Sequence, residues 1–438
     1  MAQIVFLTVF LGLVSGIQTV DLQVDPAVKS VQLQLGGRRV ATLSGTPWSA
    51  QLDLGPELVP MELVAVGYDA QGFEIARASQ VLNLPRPAAE LAIVIKTEKD
   101  RQVVAELLGR HRMHIPARRA TLLVDAAAVH VGDDFRAKLP RLDWSHPHVV
   151  SGEMIFEDGQ VARRDVVIHG GFSDSVGSEL TPVLVTTTRQ QTPKSLEGCF
   201  SANGVLLRAS AIEKTNALVT MVKDPDASEV IVRLHPEIPT TKPRWWTDRA
   251  LRRELRLDAD TTERILWPVT KKFSAPGEPT ALLFEPSDDI SASEGGVSWL
   301  LTREYRPVPD ETTPRQYADA VAVAGVKSLV RGRRRAVVLV LGQARDQSHN
   351  SPAVVRRYLE RIGVPLFVWS VEGPRPDLRG SWGRVEDVST TAGLREATAK
   401  LNNALKEQRI AWIAADPLAA LKVEGNERCG LMPVAGIH

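Results

Sequence analysis

The sequence predicts a multidomain chain in which two small all-β sandwich modules precede an α/β domain built on a doubly wound parallel sheet. Three observations carry this. Residues 20–84 alternate apolar and polar side chains in short bursts broken by Gly, Pro and Asp, the pattern of half-buried antiparallel strands. A similar phrase returns about 87 residues later, which points to a second copy of the module. Beyond residue 205 the pattern changes to apolar runs alternating with helical stripes, the grammar of a parallel sheet covered on both faces.

The start of the chain comes first in order. Ile4 to Val14 is apolar but for Thr8 and Gly12, too short to span a bilayer but long enough for the core of a secretory leader. Val14-Ser15-Gly16 supplies small residues for cleavage, so residues 1–16 read as a signal peptide and the protein as exported: periplasmic, secreted or at the cell surface. No Lys or Arg precedes the run, and a buried first strand is the competing reading. No later segment reads as an integral membrane span.

Module 1, residues 17–87, begins with Val31-Gln32-Leu33-Gln34-Leu35 entering a turn at Gly36-Gly37. Glu62 to Tyr68 is a second strand, turned at Asp69-Ala70-Gln71-Gly72, and Ala76 to Leu84 a third. Module 2, residues 88–195, repeats this: Val149 to Phe156, then Glu157-Asp158-Gly159, then Ala162-Arg163, with Arg119 to Val124 upstream. Pro85-Arg86-Pro87 and Thr186 to Pro193 read as linkers. Gly37-Arg38-Arg39-Val40-Ala41 and Val64 to Gly72 resemble the hairpin and strand-turn phrases of bacterial immunoglobulin-like modules. That resemblance implies spacers or binding surfaces without catalytic groups.

The α/β domain, residues 196–420, is read from Ala217 to Val222, Arg264 to Trp267, Thr280 to Phe284, Arg335 to Leu341 and Pro365 to Val371 as strands. Helices are expected over Tyr317–Val330, from Ser351 as N-cap with Pro352 first and Gly363 closing, and over Leu394–Glu407. Residues 421–438 read as a C-terminal tail. The strand ending in Asp224-Pro225-Asp226-Ala227-Ser228, the helix from Tyr317, the run Arg335 to Gly342 and the strand Val364 to Val371 resemble a von Willebrand factor type A domain of divergent, exported bacterial type.

That resemblance implies a non-catalytic adhesion or scaffold role, a protein partner and a metal-ion-dependent adhesion site. In the family an Asp-x-Ser-x-Ser turn, a second-loop Thr and an Asp after the fourth strand hold Mg²⁺ or another divalent cation, with oxygen ligands suited to a hard ion. Here Asp224 and Ser228 match, Asp226 stands in place of a Ser, Thr312 or Thr313 stands for the Thr, and Asp346 is a displaced acid. Leu341-Gly342-Gln343 replaces the family's acidic turn. Two readings stay open: a degenerate cation site, or a metal-free strand-to-helix turn on a structural scaffold, since an Asp at a strand end and a Ser at a helix start need no metal. The partner surface is expected on the loops around 224–228, 286–296 and 342–350.

A different class shares the same motif. An apolar strand followed by Asp-x-Asp-x-Ser also opens haloacid-dehalogenase-type phosphatases, with Asp224 as nucleophile, Asp226 as acid/base, Lys271 or Lys272 on phosphate and Asp288-Asp289 completing a Mg²⁺ site. The resemblance also implies that the ends of the α/β domain meet opposite the ligand loops. With an oxidising compartment this pairs Cys199 with Cys429.

Composition limits the rest. The 438 residues carry 53 Lys+Arg against 52 Asp+Glu, a net charge of +1, without the positive field of a dedicated nucleic-acid binder. Two cysteines exclude a cysteine-rich zinc protein. No Gly-rich phosphate loop, H-E-x-x-H or G-x-S-x-G motif occurs. His146-Pro147-His148 and Ser348-His349 read as turns, Trp245-Trp246 as a loop over the sheet, and Arg331 to Arg335 as a basic helix terminus.

Overall fold

The computed structural model describes the chain except residues 1–3, 9, 11, 86–88, 98–102, 112–114, 126, 141–147, 169–179, 188, 203–204, 208, 237, 239–252, 274–280, 294–295, 305–312, 330–331, 374–380, 415–420, 424–428 and 434–438. It divides into two compact units, one Arg86–Glu179 and the other Ala2–Pro85 together with Leu180–His438.

The first sandwich is formed by β1 (Ile4–Phe6), β2 (Ile17–Val24), β3 (Ser30–Leu35), β4 (Arg38–Leu43), β5 (Ser49–Asp53), β6 (Met61–Tyr68) and β7 (Glu74–Leu82). Its sheets run β1-β2-β5 and β4-β3-β6-β7, with Val20, Leu22, Val31, Leu33, Leu52 and Leu63 in the core between them. The turn at Gly36-Gly37 takes φ of 54° and 78°, the left-handed region glycine enters without a Cβ penalty. The described part of the apolar start is not set apart from module 1. The apolar start contributes β1, with Ile4 opposite Val24 and Phe6 opposite Leu22, because its alternation buries Ile4 against the same core.

The Arg86–Glu179 unit holds β8 (Ala89–Thr97), β9 (Val103–His111), β10 (Ala117–Val124), β11 (Ala127–Val129), β12 (Arg136–Lys138), β13 (His148–Phe156) and β14 (Val161–Ile168). One sheet runs β11-β10-β13-β14 and the other β12-β9-β8. The sequence repeat has its counterpart here: β10-β13-β14 has the order and antiparallel sense of β3-β6-β7, and Gly159 takes φ of 83° where Gly72 takes 86°.

Further β structure follows from β15 (Leu180–Thr186), β16 (Phe200–Ala202), β17 (Val205–Leu207) and β18 (Ala209–Glu213). The central sheet and its helices come next: β19 (Ala217–Lys223), α1 (Ala227–Leu234), β20 (Thr261–Phe273), β21 (Ala281–Pro286), β22 (Ile290–Ser291), α2 (Val297–Thr302), α3 (Tyr317–Ser328), β23 (Arg334–Leu341), α4 (Pro352–Arg361), β24 (Leu366–Ser370), β25 (Val385–Asp387) and α5 (Thr391–Glu407). The chain closes with β26 (Gln408–Ala414), β27 (Leu421–Val423) and β28 (Met432–Pro433).

The central sheet runs β21-β20-β19-β23-β24-β25, parallel except for β21 at its edge and the short β22, which pairs antiparallel with β20. Every residue of β19 and β23 is buried, as a strand covered on both faces requires. One face packs Val219, Met221, Ile265 and Val338 with α1, α2 and α5, and the other packs Val222, Leu339 and Leu341 with α3 and α4.

Two further boundaries are corrected. β15 pairs with β26 across Leu180–Ala414 to Thr186–Gln408, so residues 180–195 belong beside the C-terminal strands and not to module 2. Residues 421–438 are not simply a tail, since β27 pairs with β16 and β28 with β15. The sheets β18-β26-β15-β28 and β17-β16-β27 enclose Val185, Phe200, Ile413 and the disulfide Cys199–Cys429, whose Cα atoms are 5.8 Å apart. The α/β domain is thus an insertion in a third β module, between β18 and β26.

Thr186 to Pro193 is no open linker either. Thr192 and Ser195 form a reciprocal capping box over the 3₁₀ turn at Pro193–Leu196. The basic run is corrected too: Arg334 and Arg335 begin β23 and are buried. Arg334 donates to Thr215 O, to Leu405 O at 2.5 Å and to Asp260 Oδ2 at 2.5 Å, tying together the two crossings between domain and module.

The first sandwich is not an independent module. Leu58 is buried in the core of the α4 face. Tyr358 on α4 donates to Asn83 O at 2.7 Å, and Glu57 pairs with Arg357 at 2.8 Å and with Arg361.

Candidate functional site

The sheet places one crevice by topology. Chain order reverses between β19 and β23, and open parallel sheets bind ligands at the carboxyl ends of the strands on either side of such a switch. Those ends are Asp224, just after β19, and Gly342, just after β23. They touch: a Cβ on Gly342 would lie 2.9 Å from Asp224 Cγ. A larger residue at 342 would have to displace the Asp224 carboxyl.

Asp224 is fully buried. Its Oδ1 accepts the Asp226 amide at 2.8 Å, and Tyr317 donates its hydroxyl to Oδ2. Burial pushes this carboxyl up to about 6, against the pull of the Asp226 amide. Asp226 is 57% exposed, and its Oδ2 takes Nη2 of Arg315 at 3.2 Å. Arg315 is itself buried, and its Nη1 donates to Thr313 O at 2.8 Å.

Ser228, in the first turn of α1, points elsewhere. Lys223, the last residue of β19, donates to Ser228 Oγ at 2.8 Å, to Leu301 O at 2.8 Å and to Arg303 O at 2.5 Å. Ser228 in turn donates to Arg303 O at 3.0 Å. Burial drives the Lys223 amine well below the ordinary lysine range, yet its three acceptors match the three donors of an ammonium. Side chains alternate along a strand, so Lys223 and Asp224 leave on opposite faces and their partners diverge.

Asp346 serves a helix. Its Oδ1 accepts the Tyr317 amide at 3.0 Å and the Ser348 amide at 3.0 Å, while Ser348 Oγ accepts the Ala318 and Asp319 amides at 2.8 and 3.2 Å. The 346–348 loop thus caps α3 from outside, satisfying amides that a helix start leaves open. Asp319 returns the arrangement by accepting the His349 and Asn350 amides at 2.7 and 3.0 Å.

These residues do not fit a divalent cation. Both oxygens of Asp224 are engaged, Ser228 is held by a lysine, and Asp346 caps a helix. Arg315 already sets a cation against Asp226. Among the described residues no group of three or more His, Cys, Asp or Glu is placed to hold a metal. Of the five residues read as ligands, Asp226 and Thr313 share Arg315, Asp224 meets Tyr317, Ser228 meets Lys223, and Asp346 meets the start of α3. Lys223, Arg315 and Tyr317 are what the motif could not show. The one signal for Lys223 is a charge closing an otherwise apolar strand.

The phosphatase geometry is missing as well. Asp224 is covered by Tyr317 and offers no oxygen for in-line attack. Asp289 is bound by Arg264 at 2.6 and 2.9 Å. Lys271 and Lys272 lie opposite Leu283 and Leu282 in the β20–β21 ladder. Trp245-Trp246, Thr312 and His146-Pro147 lie outside the described residues; His148 begins β13.

No protein-family model matches the chain, and no curated protein matches it. Among solved structures it is similar to fibronectin(III)-like modules of Clostridium thermocellum CbhA, at 13% identity and TM-score 0.16 over 38% of this chain and 93% of that one. It is similar to the central fibronectin-III array of RIM-binding protein, at 12% identity and TM-score 0.22 over 43% and 80%. A Bacteroides ovatus protein, SGBP-B of a mixed-linkage glucan utilization locus, matches at 11% and TM-score 0.15 over 47% and 57%. Likenesses of this size carry no argument about function. Among the described residues no helix is long and apolar enough to cross a membrane.

Proposed function

We propose that this chain is an exported, non-catalytic binding protein whose α/β domain is a divergent von Willebrand factor type A-like domain that contacts a protein partner without a divalent cation. The contact surface is the rim at the carboxyl ends of β19 and β23, and the immunoglobulin-like sandwiches act as spacers and supports. The carrying observation is the pairing of Arg315 with Asp226 beside an Asp224 closed off by Tyr317. A fixed guanidinium supplies the positive charge that a bound ion would bring, and it cannot be removed by a chelator. The buried Cys199–Cys429 pair supports export, since such bonds persist in oxidising compartments.

The test is a crosslinking pull-down from native culture with the full chain, run in parallel in excess Mg²⁺ and in EDTA, with melting curves under both conditions. Equal capture and equal melting are expected. Capture that requires Mg²⁺, Mn²⁺ or Ca²⁺, or a melting temperature raised by one of them and not in Asp224→Ala, would overturn the metal-free reading.

A further inference from the structure

The first sandwich meets the α/β domain on the sheet face opposite α1 and α5, and the contact is built around one helix. Leu58, in the connection between β5 and β6, is buried in one cluster with Val355, Tyr358 and Leu359 of α4. Leu13 and Leu84, outside the strands of the sandwich, pack against the same cluster. Tyr358 is fully buried and donates its hydroxyl to Asn83 O at 2.7 Å. Around this plug, Glu57 pairs with Arg357 at 2.8 Å and with Arg361, and Arg361 Nη1 donates to Leu58 O at 3.2 Å.

The plug is held firmly on its own side. The Asn83 side chain bonds Val14 N, Val14 O and Val59 O, so Leu58 is one residue from a point fixed inside the sandwich. The Glu57 pairs are between a third and a half exposed, and ion pairs of that kind add little. The holding therefore falls on the apolar plug and the buried Tyr358 bond.

α4 in turn is locked to α3. A Cβ on Gly325, two-thirds of the way along α3, would run into Leu359 Cδ2, so the two helices pack without slack. Their starts are tied as well. Asp319 in the first turn of α3 accepts the His349 and Asn350 amides, and the next residue, Ser351, caps α4 through the Val354 amide. At that same end Tyr317, the first residue of α3, donates to Asp224 and takes Asp346 on its amide. Packed groups thus run without a break from Leu58 through Leu359 and Gly325 to the closure of the rim.

We propose that the first sandwich is a clamp: seated on α4, it holds the α3–α4 pair against the sheet and, through α3, keeps Tyr317 closed over Asp224, so that loosening the seat loosens the rim. Close-packed helices shift as a body and do not bend away at a single contact, and such a body opens locally where its boundary is weakest. The coupling belongs to the closed rim itself and holds whether or not a partner binds there. α1 and α5 lie in the separate core on the other face of the sheet, so they are the internal control.

The experiment is hydrogen exchange by mass spectrometry on the full chain, comparing wild type with Leu58→Ala and Glu57→Arg. Leu58→Ala leaves a cavity in the seat, and protection of amides in 354–362, 317–322 and 347–350 should fall by about tenfold or more. Amides of α1 and α5 should change by less than about twofold. Glu57→Arg acts at a partly exposed position, sets like charges against Arg357 and Arg361, and should lower the same three segments by about two- to fivefold. It decides alone if Leu58→Ala does not fold. Unchanged protection at 354–362 would overturn the proposal. So would a loss there that leaves 317–322 and 347–350 at wild-type values, or a loss of equal size in α1 and α5.

Discussion

The disulfide offers the most direct test of how the chain is closed on itself. Cys199 and Cys429 are 230 residues apart in sequence and both buried in the third β module. Replacing both by Ala removes the crosslink while leaving small apolar side chains, so packing changes little. The chain-entropy relation gives about 18 cal/mol/K for a loop of this length, or about 5 kcal/mol at 25 °C. That figure assumes the whole intervening chain is unfolded. If the α/β domain stays folded while the module opens, its ends remain tied by Arg334, and only roughly 40 residues of free chain lie between the cysteines. The logarithm lowers the figure only to about 4 kcal/mol. The result hardly depends on which parts unfold together.

A loss of 2–5 kcal/mol is therefore expected, against total stabilities of about 5–15 kcal/mol for domains generally. Urea unfolding of the oxidised wild type and of the double Ala variant, followed by far-UV circular dichroism, measures it. A loss below about 1 kcal/mol with an unchanged denaturant slope would refute the reasoning. So would a melting curve that dithiothreitol leaves in place after the free thiols have been confirmed.

Three more predictions follow from single contacts. Asn83 takes φ of 58° and makes side-chain bonds to Val14 N, Val14 O and Val59 O at 2.8–2.9 Å; at about 1 kcal/mol per bond, Asn83→Ala should cost about 3–5 kcal/mol with its left-handed strain, and Asn83→Gly distinctly less, and equal losses in urea unfolding would remove the backbone argument. Arg315→Ala should cost about 1–2 kcal/mol, mainly the hydrogen bond to Thr313 O, because the exposed Asp226 carboxylate is taken over by water, with the loss the same in EDTA and in Mg²⁺, as thermal melts would show. For Asp224 the folded pKa is raised, so the carboxylate destabilises the fold increasingly from about pH 4 to 6 and by a constant amount above; Asp224→Asn should gain on wild type across that window, by at most about 3 kcal/mol, and a constant difference across it would refute the buried-charge account.

Local signals in the sequence were good guides wherever the deciding interaction is also local. Ser351 caps α4 through the Val354 amide with Pro352 at the first position, and Gly363 beyond it takes φ of 63°, as the residue types required. The all-apolar run ending at Leu341 is the buried strand it reads as. The third β module left no such trace, because β15 pairs with β26 across more than two hundred residues and long-range pairing has no period to read. The apolar start shows the same limit. A leader core and an edge strand are both short apolar runs, and only the register of Ile4 against Val24 tells which face it buries.

The candidate site makes the point in chemical terms. Asp-x-Asp-x-Ser specifies oxygens at a strand end, and oxygens serve a metal, an arginine, a helix start or a tyrosine equally well. Which of these they serve is decided by Lys223, Arg315 and Tyr317. Only Lys223 adjoins the motif; Arg315 lies just before α3 and Tyr317 is its first residue. Lys223 commits Ser228 to the α2 face, and Tyr317 commits Asp224 to the α3 face, so one turn is pulled to both sides of the sheet. A divalent ion needs those same oxygens to converge. In the proposed metal-free contact, a partner is held by the shape and polar groups of the rim, including the exposed carboxylate of Asp226, and not by donating a carboxylate to a metal.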